Sequence, residues 1–149
     1  MKRLLLLLGT LLTCSICLAG AWGPGNFDND DALDWAGQCV ASKGASVIAA
    51  TLQSALQAGA IEAPDGAMAI AAAEVVAAAK GKPGKALPRV LRDWLERQPK
   101  ADIARLAPIA RKAIVRVKDP QLSEVAQLWR ESGDKQWPNM MAELEIRLR

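Results

Sequence analysis

The densest group of reactive side chains is Asp28-Asn29-Asp30-Asp31, followed by Asp34. On a helix, residues three and four apart are neighbours, so Asp30, Asp31 and Asp34 would crowd like charges together. Such a cluster can hold a hard cation, because Ca²⁺ takes clustered carboxylate and carbonyl oxygens. The spacing departs from an EF-hand loop, with no Gly at the sixth position and no closing Glu. Paired carboxylates also run glycoside hydrolysis, although five Trp and one Phe are the only aromatics available to stack sugars. Two plainer roles compete. The acids can favour the positive end of a helix whose cap is Asp28 or Asn29, or they can pair with arginines elsewhere in the chain.

Other chemistries are excluded by composition. Histidine and tyrosine are absent. That removes Ser-His-Asp and Cys-His catalysis, His-ligated zinc and a histidine pH switch. Cys39 has no activating base and sits among apolar residues, so it reads as a small buried hydrophobe. The run Lys80-Gly-Lys-Pro-Gly-Lys85 lacks the spacing and the Ser/Thr of a phosphate-binding loop.

The second charged feature is basic. Lys80 to Lys118 holds twelve Lys/Arg against Asp93, Glu96 and Asp102. Lys85, Arg89, Arg92, Arg105, Arg111 and Arg116 are its candidate docking face for an acidic partner or an anionic membrane surface. The alternative is a solvated outer face of amphipathic helices.

These residues need elements to position them. Lys2 and Arg3, the apolar run to Leu18 and the small residues Ala19-Gly20-Ala21 have the layout of a secretory signal peptide. We place cleavage after Ala19, giving a signal over residues 1–19 and one domain over 20–149. Neither Cys14 nor Cys17 follows the small residue that lipoprotein processing needs, and both leave with the signal. The mature chain then carries 17 basic and 16 acidic residues, a net of +1. That is too weak for nucleic-acid binding. The distribution is polarised: −6 from Gly20 to Ala79 (one basic, seven acidic) and +7 from Lys80 to Arg149 (sixteen basic, nine acidic). The halves either pair with each other in the fold or present a face that steers a partner.

Hydrophobic spacing predicts an all-α, compact array of seven or eight short helices and no strand. The first runs from Asp28 or Asn29 to about Ser42, with Phe27 as a staple onto Ala32. The second covers about Ala45 to Ala58. The third runs from Pro64-Asp65 to Ala79, is Ala-rich, and carries only Glu74 in its middle, as expected of a helix at the centre of the domain. A basic Gly/Pro loop follows. Next come a helix bearing Leu87, Leu91, Trp94 and Leu95, and a segment from Ala101 to Lys118 that Pro108 kinks or splits. A helix capped by Asp119 with Pro120 at its first position bears the stripe Leu122, Val125, Ala126 and Trp129, and a last helix starts at Pro138.

The segment Gly20-Ala21-Trp22-Gly23-Pro24-Gly25-Asn26-Phe27-Asp28-Asn29-Asp30-Asp31-Ala32-Leu33-Asp34-Trp35 resembles the opening of an uncharacterised bacterial family, catalogued as domain of unknown function number four-two-five-nine. Its members begin with a similar Ala-Trp-Gly-x-Gly-x-Phe-x-Asn-Asp run. Ala71 to Ala79 and Leu122 to Gly133 are similar as well. The resemblance implies that Trp22, Gly23, Gly25, Phe27, Asn29, Asp30 and Asp34 act as a unit, with Asp31 beside them in the acidic cluster. It implies no activity.

The expected function is that of a periplasmic or secreted, non-enzymatic binding protein acting by protein–protein contact, of the immunity or inhibitor kind. It would need no cofactor and no nucleic acid, and would touch a membrane only through an uncleaved signal. The alternative is a divalent-metal protein or hydrolase centred on Asp30, Asp31 and Asp34, with Ca²⁺ as the candidate ion.

Overall fold

The computed structural model describes residues 23–149, so the signal segment over 1–19 and Trp22 lie outside the described residues. Among the described residues eight helices form: α1 (Asp30–Ala41), α2 (Ser46–Gln57), α3 (Ala63–Ala79), α4 (Arg89–Leu95), α5 (Lys100–Ala104), α6 (Ala107–Val117), α7 (Glu124–Ser132) and α8 (Gln136–Arg147). Among the described residues there is no strand beyond one isolated bridge, Ile61 to Ser123. No described helix is long and apolar enough to cross a membrane.

Helix α3 is the hub. It packs against each of the other seven helices. Its residues from Ala69 to Ala78 are all buried, as expected of a helix apolar on every side. Alanine lets neighbouring backbones approach closely, and Gly66 takes this further, because a Cβ there would lie 2.8 Å from Val125 Cγ1 of α7. The hub ends in a left-handed turn. Gly81 has φ +81°, Gly81 N–H donates to Ala78 O (2.9 Å) and Lys82 N–H to Ala77 O (3.0 Å). This closes the free carbonyls and needs a residue without a Cβ penalty.

Two indoles are fixed by their N–H groups as well as by packing. Trp35 donates to Thr51 Oγ1 (2.8 Å), tying α1 to α2, and Trp94 donates to Ser42 O (3.0 Å), tying α4 to the end of α1. Pro108 splits its segment as expected: α5 ends at Ala104 and α6 starts at Ala107 with the proline in its first turn, where its missing N–H costs nothing.

Two helix starts differ from the sequence expectation. Asp119-Pro120 does not open α7. Asp119 closes a turn by accepting from Gln121 N–H at its side chain (2.8 Å) and from Leu122 and Ser123 N–H at its carbonyl. Ile61 then engages this strand-like segment, donating to Leu122 O (2.7 Å) and accepting from Glu124 N–H (3.0 Å). With those groups taken, helix formation waits until Glu124. Helix α8 starts at Gln136, ahead of Pro138, because Asp134 Oδ1 accepts from Gln136 and Trp137 N–H (2.7 and 2.9 Å) and so caps free donors.

Candidate functional site

The loop before α1 is held by its own atoms. Gly23 N–H donates to Asp28 O, Asp28 N–H to Gly25 O, and Gly25 N–H to Asp28 Oδ2, each at 3.0 Å. The Asp28 carboxyl group fills the space where a side chain on Gly23 or Gly25 would begin; a Cβ on Gly23 would lie 2.7 Å from Asp28 Oδ2, and one on Gly25 closer still. Asn29 then caps α1, its Oδ1 accepting from Ala32 N–H (2.8 Å), and Asp30 and Asp31 stand in the first turn. Phe27 is buried in the core. Gly23, Gly25, Phe27 and Asn29 thus act together to seat this loop and start the helix.

The acids are placed differently. Asp30 and Asp34 are exposed on α1 and Asp31 is half-exposed. Among the described residues, none of Asp28, Asp30, Asp31 and Asp34 makes a salt bridge, so they do not pair with the basic half. Nor does any group of three His, Cys, Asp or Glu among the described residues come together in a way that could hold a metal ion. The contribution of Asp30 and Asp31 that the geometry does support is to the helix dipole.

The loop also delivers Asn26, which the sequence reading passed over. Asn26 is buried and its Nδ2 donates to Glu74 Oε1 (2.5 Å). Glu74 projects from the middle of the hub and accepts both terminal nitrogens of Arg147 in α8, at 2.6 and 2.7 Å. This fork-to-fork pairing is the strong geometry for guanidinium and carboxylate. The paired Glu74 raises the Arg147 pKa, chiefly by hydrogen bonding, against the opposing effect of burial. Gly84 passes directly over the pair, since a Cβ there would lie 2.6 Å from Glu74 Oε2. Beside it lies a cavity of about 220 Å³, walled by Phe27, Leu87 and Met140, with Lys85 and Glu143 also lining it. Asn26, the hub, the 80–85 loop and α8 all converge here. The one signal in sequence was Glu74, a lone acid in an Ala-rich helix.

The six basic candidates take separate roles. Lys85 lines that cavity. Arg89 pairs with Asp93 (3.5 Å) and Arg105 with Asp102 (2.7 Å), both at the surface, where such pairs contribute little. Arg92 is exposed in the last turn of α4. Arg116 is turned inward and donates to Ala55 O (3.1 Å) and Ala58 O at the end of α2. It satisfies free helix carbonyls, so its guanidinium is a strap between α6 and α2. Arg111 remains exposed with Lys112, Val115 and Pro108. With Leu56, Arg116, Glu145 and Arg149 they line a groove of about 500 Å³. Among the described residues Arg111, Lys112 and Arg149 make no salt bridge, whereas Glu145 is taken by Lys118 (3.0 Å). The groove therefore combines three uncompensated cations with an apolar lining.

Cys39 is fully buried, and burial pushes its thiol up to about 12. A thiol so placed stays protonated and is a packing group.

No curated protein and no solved structure matches this chain. A family model does match it, over residues 20–139, and on that match the chain belongs to the family described as domain of unknown function DUF4259.

Proposed function

We propose that this is an exported, non-enzymatic binding protein that works in the periplasm by protein–protein contact, in the manner of an immunity or inhibitor protein. The observation that carries the reading is the α6 groove. Arg111, Lys112 and Arg149 stand around it without carboxylate partners among the described residues, and Val115 is 61% exposed beside them. Cations left unpaired next to exposed apolar surface suit an acidic protein partner, which gains both desolvation of the apolar atoms and charge complementarity. The layout of residues 1–19 supports export.

The test is a comparison of tagged wild type with Arg111→Glu/Lys112→Glu in periplasmic extract. A stoichiometric partner recovered by the wild type and lost by the variant supports the reading. Equal recovery by both moves docking away from the groove, and no stoichiometric partner for either overturns the reading. N-terminal sequencing of the recovered protein checks cleavage after Ala19.

A further inference from the structure

We propose that the α6 groove receives the acidic ridge of α1 from a second copy of this chain. The inference rests on the groove being a protein-contact surface, and it names the occupant.

Two surfaces of this one molecule are chemical complements. The groove offers Arg111, Lys112 and Arg149 around Val115 and Leu56. Helix α1 offers Asp30 with Leu33 and Asp34, three and four positions on, so that each neighbours Asp30 on the helix surface. Asp30 and Asp34 are exposed, and Leu33 beside them is 49% exposed. No basic residue occurs anywhere in α1. None of these five charged groups of the two surfaces makes an internal salt bridge among the described residues.

A leucine beside carboxylates thus matches a valine beside cations. Helix faces are read in this way, apolar anchor in the groove and opposite charges at its edges. The concavity of the groove favours a ridge over a lipid plane, which could not reach its floor and walls together.

One molecule cannot satisfy itself. Helix α1 packs on α2, α3 and α4, whereas α6 packs on α2, α3 and α8, and α1 and α6 make no substantial contact. The match is therefore available only between copies. If two copies exchange ridges, a closed dimer results; if each passes its ridge to the next, a chain results. Either state raises the mass above that of a monomer.

The experiment is sedimentation of the purified protein across concentration and salt. Wild type is expected to rise above monomer mass with concentration and to fall back as salt is raised, because the contact is ionic. Asp30→Lys/Asp34→Lys and Arg111→Glu/Lys112→Glu are each expected to be monomeric under the same conditions. Mixing the two variants is expected to restore a one-to-one complex, since each supplies the charge that the other lost. All four residues are exposed, and circular dichroism and thermal melts verify that the variants fold.

A wild-type monomer at every concentration up to about 1 mM overturns the proposal. So does a wild-type oligomer that both variants retain. If the chain is monomeric but Arg111→Glu/Lys112→Glu still loses a periplasmic partner, self-pairing falls and the groove reading stands. If neither association is found, both fall.

Discussion

Arg147, in the last helix, closes both terminal nitrogens of its guanidinium on the carboxylate of Glu74, 73 residues earlier in the middle of the hub helix. It is the only ion pair among the described residues that joins the acidic first half of the chain to the basic second half. The two side chains are 14% and 4% exposed, so when the pair is broken the carboxylate has no route to water and the guanidinium only a limited one. The charge polarity of the sequence is thus discharged internally at one buried point and otherwise left on the surface.

Removing one partner should therefore be costly. Glu74→Gln keeps an oxygen acceptor for Asn26 but strands the guanidinium. Arg147→Met strands the carboxylate. We expect each to destabilise by about 3 kcal/mol, the lower end for breaking a buried pair because Arg147 keeps some contact with solvent. The double variant leaves no unpaired charge and should lose clearly less than the sum. Urea unfolding of the four proteins measures the coupling; strict additivity would show that the pair does not act as a unit.

Gly84 and Gly37 should respond in opposite directions to the same added methyl group. At Gly84 a Cβ would press on Glu74 Oε2 at 2.6 Å, with Arg147 Nη1 at 3.2 Å. Neither atom can yield without opening the ion pair, so Gly84→Ala should destabilise by about 1–3 kcal/mol. Gly37 lies inside α1 with nothing within 4 Å of its Cβ position. Gly37→Ala should stabilise by about 0.5–1 kcal/mol through helix propensity. Midpoints of urea unfolding give both signs.

The fold was largely legible because it rests on local signals. The apolar period of α4 and α6, the Ala-rich centre of α3 and the split at Pro108 are all written within single segments. The failures came where a distant group intervened. Asp119-Pro120 has the form of a helix cap, but Ile61, some sixty residues earlier, binds the backbone that would have begun the turn. Arg116 looks like a surface cation until the carbonyls at the end of α2 arrive beside it. Asn26 occupies a position that any turn former could fill, and only the folded chain brings it to Glu74. The acidic cluster was conspicuous in the sequence, yet among the described residues it gathers no metal-holding set. Its visible local work is done by Asn29 and by the Asp28 carboxyl group between two glycines.

The Asp28 loop predicts a rescue. A methyl group on Gly25 collides with the Asp28 carboxyl group, so Gly25→Ala alone should destabilise the seat of Asn26 and Phe27 by about 1–3 kcal/mol. Asp28→Ala loses only one exposed hydrogen bond to Gly25 N–H, for a loss of about 0.5–1.5 kcal/mol. In the Asp28→Ala background the collision is gone, and Gly25→Ala should then change stability little. Unrelieved loss in the double variant would place the requirement for glycine in the backbone instead of the carboxyl group.

Cys39 gives a pH dependence whose sign is fixed by its burial. Burial holds its thiol at about 12 in the folded protein, against 9.0 when free in the unfolded chain. Below pH 9.0 the thiol is protonated in both states and contributes no slope. As pH rises from there towards 12, the unfolded chain releases this proton while the folded chain retains it. Binding fewer protons, the unfolded state gains, and stability falls with pH by up to a one-proton slope. The relevant quantity is the difference between wild type and Cys39→Ala, in which contributions common to the two proteins cancel. The alanine variant starts less stable at neutral pH because it leaves a small cavity beneath α1. Its deficit should shrink steadily as urea midpoints are followed from about pH 8 to about pH 10.5. A deficit that stays constant over that range would mean that the thiol ionises in place, and that the helices around it open to solvent more readily than their packing suggests.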